Sequence, residues 1–109
     1  MHRREICERL APLLSVEVVE EHRRAPSGHH SPALAQILTY LRQAPTPGKL
    51  AAYAVVPGRQ WQIVRLSGLQ GTAHDTSDPG RYDSEAAVAH EIFLRRLNEL
   101  ALWPPGRDA

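Results

Sequence analysis

The sequence holds a single cysteine, a single lysine and no long apolar run, and each shortage narrows what the chain is built to do. Cys7 has no partner for an internal disulfide and no companion for a thiolate metal site, which agrees with a reducing compartment. Its helical setting, with no basic constellation placed beside it, makes it a half-buried helix residue rather than a reactive thiol. No stretch approaches the roughly 20 apolar residues that span a bilayer. Met1-His2-Arg3-Arg4-Glu5 is basic, but Glu8, Arg9 and Pro12 break the apolar stretch that follows, so no secretory signal is expected and the chain is read as cytoplasmic. Internal repeats and low-complexity tracts are also missing.

Charge of one sign is lacking too. Thirteen basic and 12 acidic residues leave a net charge of +1, too weak a field to call for nucleic acid or an anionic membrane. Arginine supplies every basic residue except Lys49, and its planar fork suits carboxylate pairing at protein interfaces. A codon bias produces the same count. Hydrophobic residues at 42% and charged residues at 23% are ordinary for a globular chain, and 109 residues fit one domain, expected to span 1–109.

What is present reads mostly as helix. Ile6, Leu10, Leu13, Leu14 and Val18 recur at three- and four-residue spacing, so 1–24 forms a helical N-terminal segment. Pro12 predicts a kink, or two short helices with Pro12 in the first turn of the second. Glu17, Glu20 and Glu21 precede His22, Arg23 and Arg24, an order that favours spaced charge pairs on a solvated face. After the turn at Ala25-Pro26-Ser27-Gly28, Ser31 and Pro32 predict a capped helix start, and Leu34, Ile37, Leu38 and Leu41 give its apolar stripe. Pro45-Thr46-Pro47-Gly48 is a stiff connector. Ser84 predicts the cap of a last helix running to about Leu102, with Ala89, Ile92, Phe93, Leu97 and Leu100 on its buried side and Pro104-Pro105-Gly106 beyond.

Between these helices the residues favour strand. Leu50–Val56 and Trp61–Leu66 flank Pro57-Gly58-Arg59-Gln60, which predicts an antiparallel hairpin. A four-residue loop sets Val56 opposite Trp61, Ala54 opposite Ile63 and Tyr53 opposite Val64. Arg81-Tyr82 is placed to supply a short third strand. The expected fold is α+β, a small antiparallel sheet carrying about three helices.

No chemistry assembles from spacing alone. Of the histidines, His90-Glu91 starts the metalloprotease pattern H-E-x-x-H, but position 94 is leucine, and adjacent His29 and His30 do not easily aim at one ion. Ser27, Ser31, Ser67, Ser77 and Ser84 sit in turn or cap contexts without a nucleophile elbow. Asp75, Asp78 and Asp83 gather near His74 without the ordered spacing of a calcium loop, and solvated loop carboxylates account for them. Gly58, Gly68 and Gly71 form no phosphate cradle ahead of a helix. Neither catalytic nor metal-binding residues are therefore expected in this chain. Trp61 and Arg65, on one face of the hairpin with Arg59 at its turn, have the chemistry of interface anchors. A small domain also needs its tryptophan inside, and that use is favoured for Trp61.

These residues also fall into an ordered pattern. Val19-Glu20-Glu21-His22 leads to a Pro/Gly turn, then His30-Ser31-Pro32 and Leu34, then Tyr40, Arg42, Pro45-Thr46 and Gly48. Tyr53 follows in the first strand, Trp61 and Arg65 in the second, Arg81 ahead of the last helix, and Phe93-Leu94-Arg95-Arg96 within it. From His22 to Leu100, with a core at 31–102, the chain resembles the small, or alpha, subunit of N,N-dimethylformamidase. The resemblance thins before about Val19, and the strand at Leu50–Ala54 is less aromatic than the family leads one to expect, which leaves room for another small amide as substrate.

The resemblance implies a hetero-oligomeric amide hydrolase that converts N,N-dimethylformamide to dimethylamine and formate. It places the chemistry in a large subunit that holds a mononuclear iron through tyrosine and glutamate, with the small subunit covering and stabilising it. No catalytic residue carries over. The candidate partner interface comprises His29, His30, Tyr53, Arg59, Trp61, Arg65, Arg95 and Arg96. The rival expectation is a free-standing interaction or regulatory module with no hydrolase attached.

Overall fold

The computed structural model describes residues 3–43, 49–100 and 102–103. The connector at 45–48 and the stop at 104–106 lie outside the described residues. Helix α1 (Arg3–Leu10) passes into a 3-10 turn at Ala11–Leu13 that carries Pro12 in its first positions. Ser15 then caps helix α2 (Val16–Arg24), its hydroxyl accepting the Val18 N–H at 3.2 Å. The break expected at Pro12 is thus real, but Pro12 sits in the 3-10 turn and not in the second helix. Ser15 decides this, because its hydroxyl satisfies an orphan amide and the helix begins just after it.

Helix α3 (Pro32–Arg42) starts as its sequence requires, with Pro32 in the first turn and the Ser31 hydroxyl accepting the Leu34 N–H at 3.3 Å. Strands β1 (Leu50–Val56) and β2 (Gln60–Arg65) form a two-stranded antiparallel sheet. Helix α4 (Glu85–Glu99) is capped by Ser84, whose hydroxyl accepts from the Ala87 N–H at 3.0 Å. It stops short of Leu102, since the Leu102 N–H closes back on the Leu97 carbonyl at 2.9 Å, a helix-ending bond and not a further turn. The fold is α+β.

The hairpin register differs from the expected one. Ala54 pairs with Trp61, Tyr53 with Gln62 and Ala51 with Val64, while Val56 pairs with Gln60. Val55 is left over as a bulge, and the turn takes in Pro57, Gly58 and Arg59, with Gly58 at a positive φ of 74°. The expected pairings at Val56, Ala54 and Tyr53 are therefore replaced: a left-handed glycine and a bulge accept a tighter turn than four loop residues require. The third strand reduces to two isolated bridges on β2. Trp61 and Tyr82 exchange backbone hydrogen bonds at 2.8 and 2.9 Å, and Arg65 and Asp75 exchange them at 3.0 and 2.9 Å.

Two compact units result, Met1–Gln43 with Phe93–Ala109, and Ala44–Ile92, the division falling within α4. In the first, Leu10, Val18, Leu34, Ile37, Leu41, Phe93 and Leu97 form the buried cluster. Full burial of each such side chain is worth about 1.5–3 kcal/mol. Cys7 is half-buried there, its thiol directed at the Leu100 carbonyl at 3.5 Å. In the second, Leu50, Ile63 and Val88 are buried, with Trp61, Tyr82 and Ile92 packed against them. Val88, fully buried, was not on the expected face of the last helix, which serves two clusters along its length. Among the described residues no helix is long and apolar enough to cross a membrane.

Candidate docking surface

The hairpin unit carries four of the eight candidate residues but on both of its faces, Tyr53 pairing with Gln62 and sharing its side while Trp61 and Arg65 lie on the other. Tyr53 stands 55% exposed on β1, and Val55 and Val56 beyond it are also exposed. Arg59, exposed at the turn, lines a shallow recess with Gln60, Arg81, Tyr82 and Asp83. Arg81 helps to shape that recess by donating from Nη1 to the carbonyls of Gly80 at 2.9 Å and Asp78 at 3.2 Å. Trp61 is half-buried against the Leu50, Ile63 and Val88 cluster, so its ring serves the core while its position on β2 leaves part of it accessible. Arg65 ends the strand with an exposed side chain.

The other four candidates belong to the helical unit. His29 is exposed, and His30 is half-buried with its Nε2–H donating to the Ala25 carbonyl at 2.9 Å. The His30 ring faces the ring of His22 at 6.5 Å, and His22 in turn stacks on Phe93 at 4.0 Å with an interplanar angle of 15°. His30 thus ends a short aromatic column and fastens the loop after α2. Arg95 and Arg96 are half-buried on α4. Burial lowers the pKa of the Arg96 guanidinium from its usual value, and the nearby charge of Glu99 partly offsets this.

Several structural anchors escape a reading of spacing. Gln62 is 5% exposed, and its amide donates to the carbonyls of Thr76 at 2.7 Å and Asp78 at 3.1 Å, which ties the 75–82 segment to β2. Alternation along β2 gives the only signal for it, since Gln62 faces opposite to Trp61 and Ile63. Glu21, read as one of several solvated helix acids, binds Ser31 with both carboxylate oxygens, at 2.6 Å from the backbone N–H and 2.7 Å from the hydroxyl. These bonds lower its pKa below the ordinary glutamate range.

The loop residues weighed for chemistry are engaged locally. Asp75 Oδ1 accepts the Ser77 N–H at 2.9 Å, and Asp78 Oδ1 the Gly80 N–H at 2.8 Å. The first of these bonds holds the Asp75 pKa below the usual carboxylate value, helped by the charge of Arg65. His74 accepts the Ser67 N–H through Nδ1 at 3.0 Å. Among the described residues, no group of three or more His, Cys, Asp or Glu side chains is arranged to hold a metal ion. What the geometry offers is an apolar strand edge beside a turn that carries Arg59, on a hairpin bridged to the 75–82 segment.

No curated protein sequence matches the chain. A family model described as N,N-dimethylformamidase alpha subunit matches residues 1–104. That span takes in the N-terminal helices ahead of Val19, where the quoted pattern thins, as well as the hairpin and α4. With nearly the whole length matched, the chain belongs to the N,N-dimethylformamidase alpha subunit family.

Proposed function

We propose that this chain is the small, non-catalytic subunit of an amide hydrolase that adds water across the C–N bond of N,N-dimethylformamide, releasing dimethylamine and formate. The observation that carries this reading is the family match over residues 1–104. A subunit family implies a larger assembly, and the partner proposed is a large catalytic subunit in a cytoplasmic hetero-oligomer. The mononuclear iron expected of such an enzyme belongs in that large subunit, held by its tyrosine and glutamate side chains. The role of the present chain is to cover and stabilise the catalytic subunit through Tyr53, Arg59, Trp61 and Arg65 on the hairpin, and through His29, His30, Arg95 and Arg96 in the helical unit.

Co-expression with the large subunit tests this directly. The chain is expected to co-purify with a polypeptide several times its size, and the assembly to release dimethylamine from N,N-dimethylformamide. The isolated chain, freed of contaminants and analysed for metal, is expected to release none. A stable monomer that ignores the co-expressed large subunit overturns the proposal, as does amide turnover by the isolated chain.

A further inference from the structure

The two edges of the hairpin are treated differently. On the β2 side, Trp61 and Arg65 spend their N–H and C=O groups on Tyr82 and Asp75. Backbone groups alternate in direction along a strand, so those of Gln62 and Val64 point the other way, towards their β1 partners Tyr53 and Ala51. The Leu66 N–H, continuing this alternation, bonds the Lys49 carbonyl at 2.8 Å. It follows that Leu50, Ala52 and Ala54 direct their N–H and C=O groups away from β2, along the outer edge of β1. Among the described residues no strand pairs with that edge.

Exposed edges in soluble proteins are commonly blunted by a charge or a proline within the strand. Here the strand reads Leu-Ala-Ala-Tyr-Ala-Val-Val, and the outward positions Ala52 and Ala54 carry methyl groups too small to bar a neighbour. Charge selects the kind of neighbour. Residues 49–65 contain Lys49, Arg59 and Arg65 and no aspartate or glutamate. Two copies of the hairpin joined edge to edge bring like charges together, which costs affinity. An apolar strand flanked by carboxylates gains instead.

We infer that the outer edge of β1 receives an acid-flanked β-strand of the large subunit, which extends the hairpin by backbone hydrogen bonds to Ala52 and its neighbours. This rests on the assignment of the chain as the small subunit. The flanking carboxylates of the incoming strand meet Arg59 at the turn end and Lys49 at the other.

Hydrogen exchange on the full chain, alone and in complex with the co-expressed large subunit, tests the inference. The amides of Ala52 and Ala54 are expected to exchange fast in the free chain and about 100-fold more slowly in the complex. Ala52→Pro, which removes an outward N–H and no β1–β2 bond, is expected to weaken assembly at least about tenfold while the free chain keeps its circular dichroism. Raising salt from about 0.05 to about 0.5 M is expected to weaken wild-type assembly. If the complex forms and those amides remain fast, the edge is not the docking site and the subunit assignment stands. Protection in the free chain that grows with concentration, at dimeric mass, assigns the edge to a second copy and overturns the inference. If no complex forms, both the inference and the subunit assignment fall. The exchange measurement decides even where the proline variant fails to fold.

Discussion

Glu21 reaches across the loop after α2 to hold Ser31 by both its N–H and its hydroxyl, at 2.6 and 2.7 Å. The same hydroxyl oxygen accepts the Leu34 N–H, so one carboxylate anchors the start of α3 through its cap. Ser31→Ala is expected to cost about 1–2 kcal/mol of unfolding free energy. In a double-mutant cycle with Glu21→Gln the loss in the double variant is expected to fall short of the sum of the two single losses, because both variants break the same pair. Additive losses in urea unfolding contradict this coupling.

The pH dependence follows from the direction of the Glu21 shift. Its folded pKa lies below the unfolded value of about 4.3, so the folded state favours the ionised form. Its contribution is fully present above that unfolded value and is lost as pH falls through the lower folded one. The urea midpoint is expected to drop in that acid window, and Glu21→Gln is expected to flatten the slope there. An unchanged slope in the variant assigns the acid transition to other carboxylates.

Gln62 offers a second stability test. Gln62→Leu keeps side-chain bulk but withdraws the amide from the Thr76 and Asp78 carbonyls. A loss of about 1–3 kcal/mol is expected. Faster exchange is expected at the amides of Asp75 and Tyr82, which the bridges otherwise protect. If those amides keep their wild-type rates, the bridges hold without the glutamine.

In the helical unit, Ile37 and Leu97 are fully buried in one cluster. Alanine at either is expected to cost about 2–5 kcal/mol in chemical denaturation. Values below 1 kcal/mol for both contradict the cluster as the source of stability.

Assembly discriminates the hairpin from the loop. Arg65→Ala and Trp61→Ala are expected to weaken binding of the large subunit by about 2 kcal/mol, more than His74→Ala or Asp75→Ala. Because Trp61 also packs on Leu50, Ile63 and Val88, its variant is to be read beside its own unfolding curve. Arg65 is exposed, but its charge also acts on Asp75, so its variant too is to be read beside its own unfolding curve. Greater damage from the loop variants moves the contact surface to the 74–78 segment.

The capped helices were legible because their signals are local. Ser31-Pro32 and Ser84-Glu85 each announce a helix within a few residues, and the structure uses both serines as caps. The hairpin was legible as a pair of β-rich segments, yet its register was not, since Val55 bulges for reasons that depend on how the turn closes. Glu21 and Gln62 were hidden differently. Each works through a partner that lies next to it only after folding: Ser31 and the 76–78 carbonyls. Composition and spacing record none of those meetings. Much of the pattern that carries the family resemblance proves architectural: Glu21, His22, His30 and Ser31 stitch the loop before α3 through two carboxylate bonds and an aromatic column.

The leftover residue at Val55 acts as a ruler. Because Ala54 and Val56 face successive residues of the opposite strand, the in-and-out rhythm of β1 resets there, and both valines turn to solvent. Straight pairing from outside therefore runs out at Ala54. The usable length is the stretch from Leu50 to Ala54, about 17 Å at the usual rise per residue. A stop of that kind admits one short guest and denies the open-ended stacking that a longer, flatter margin invites.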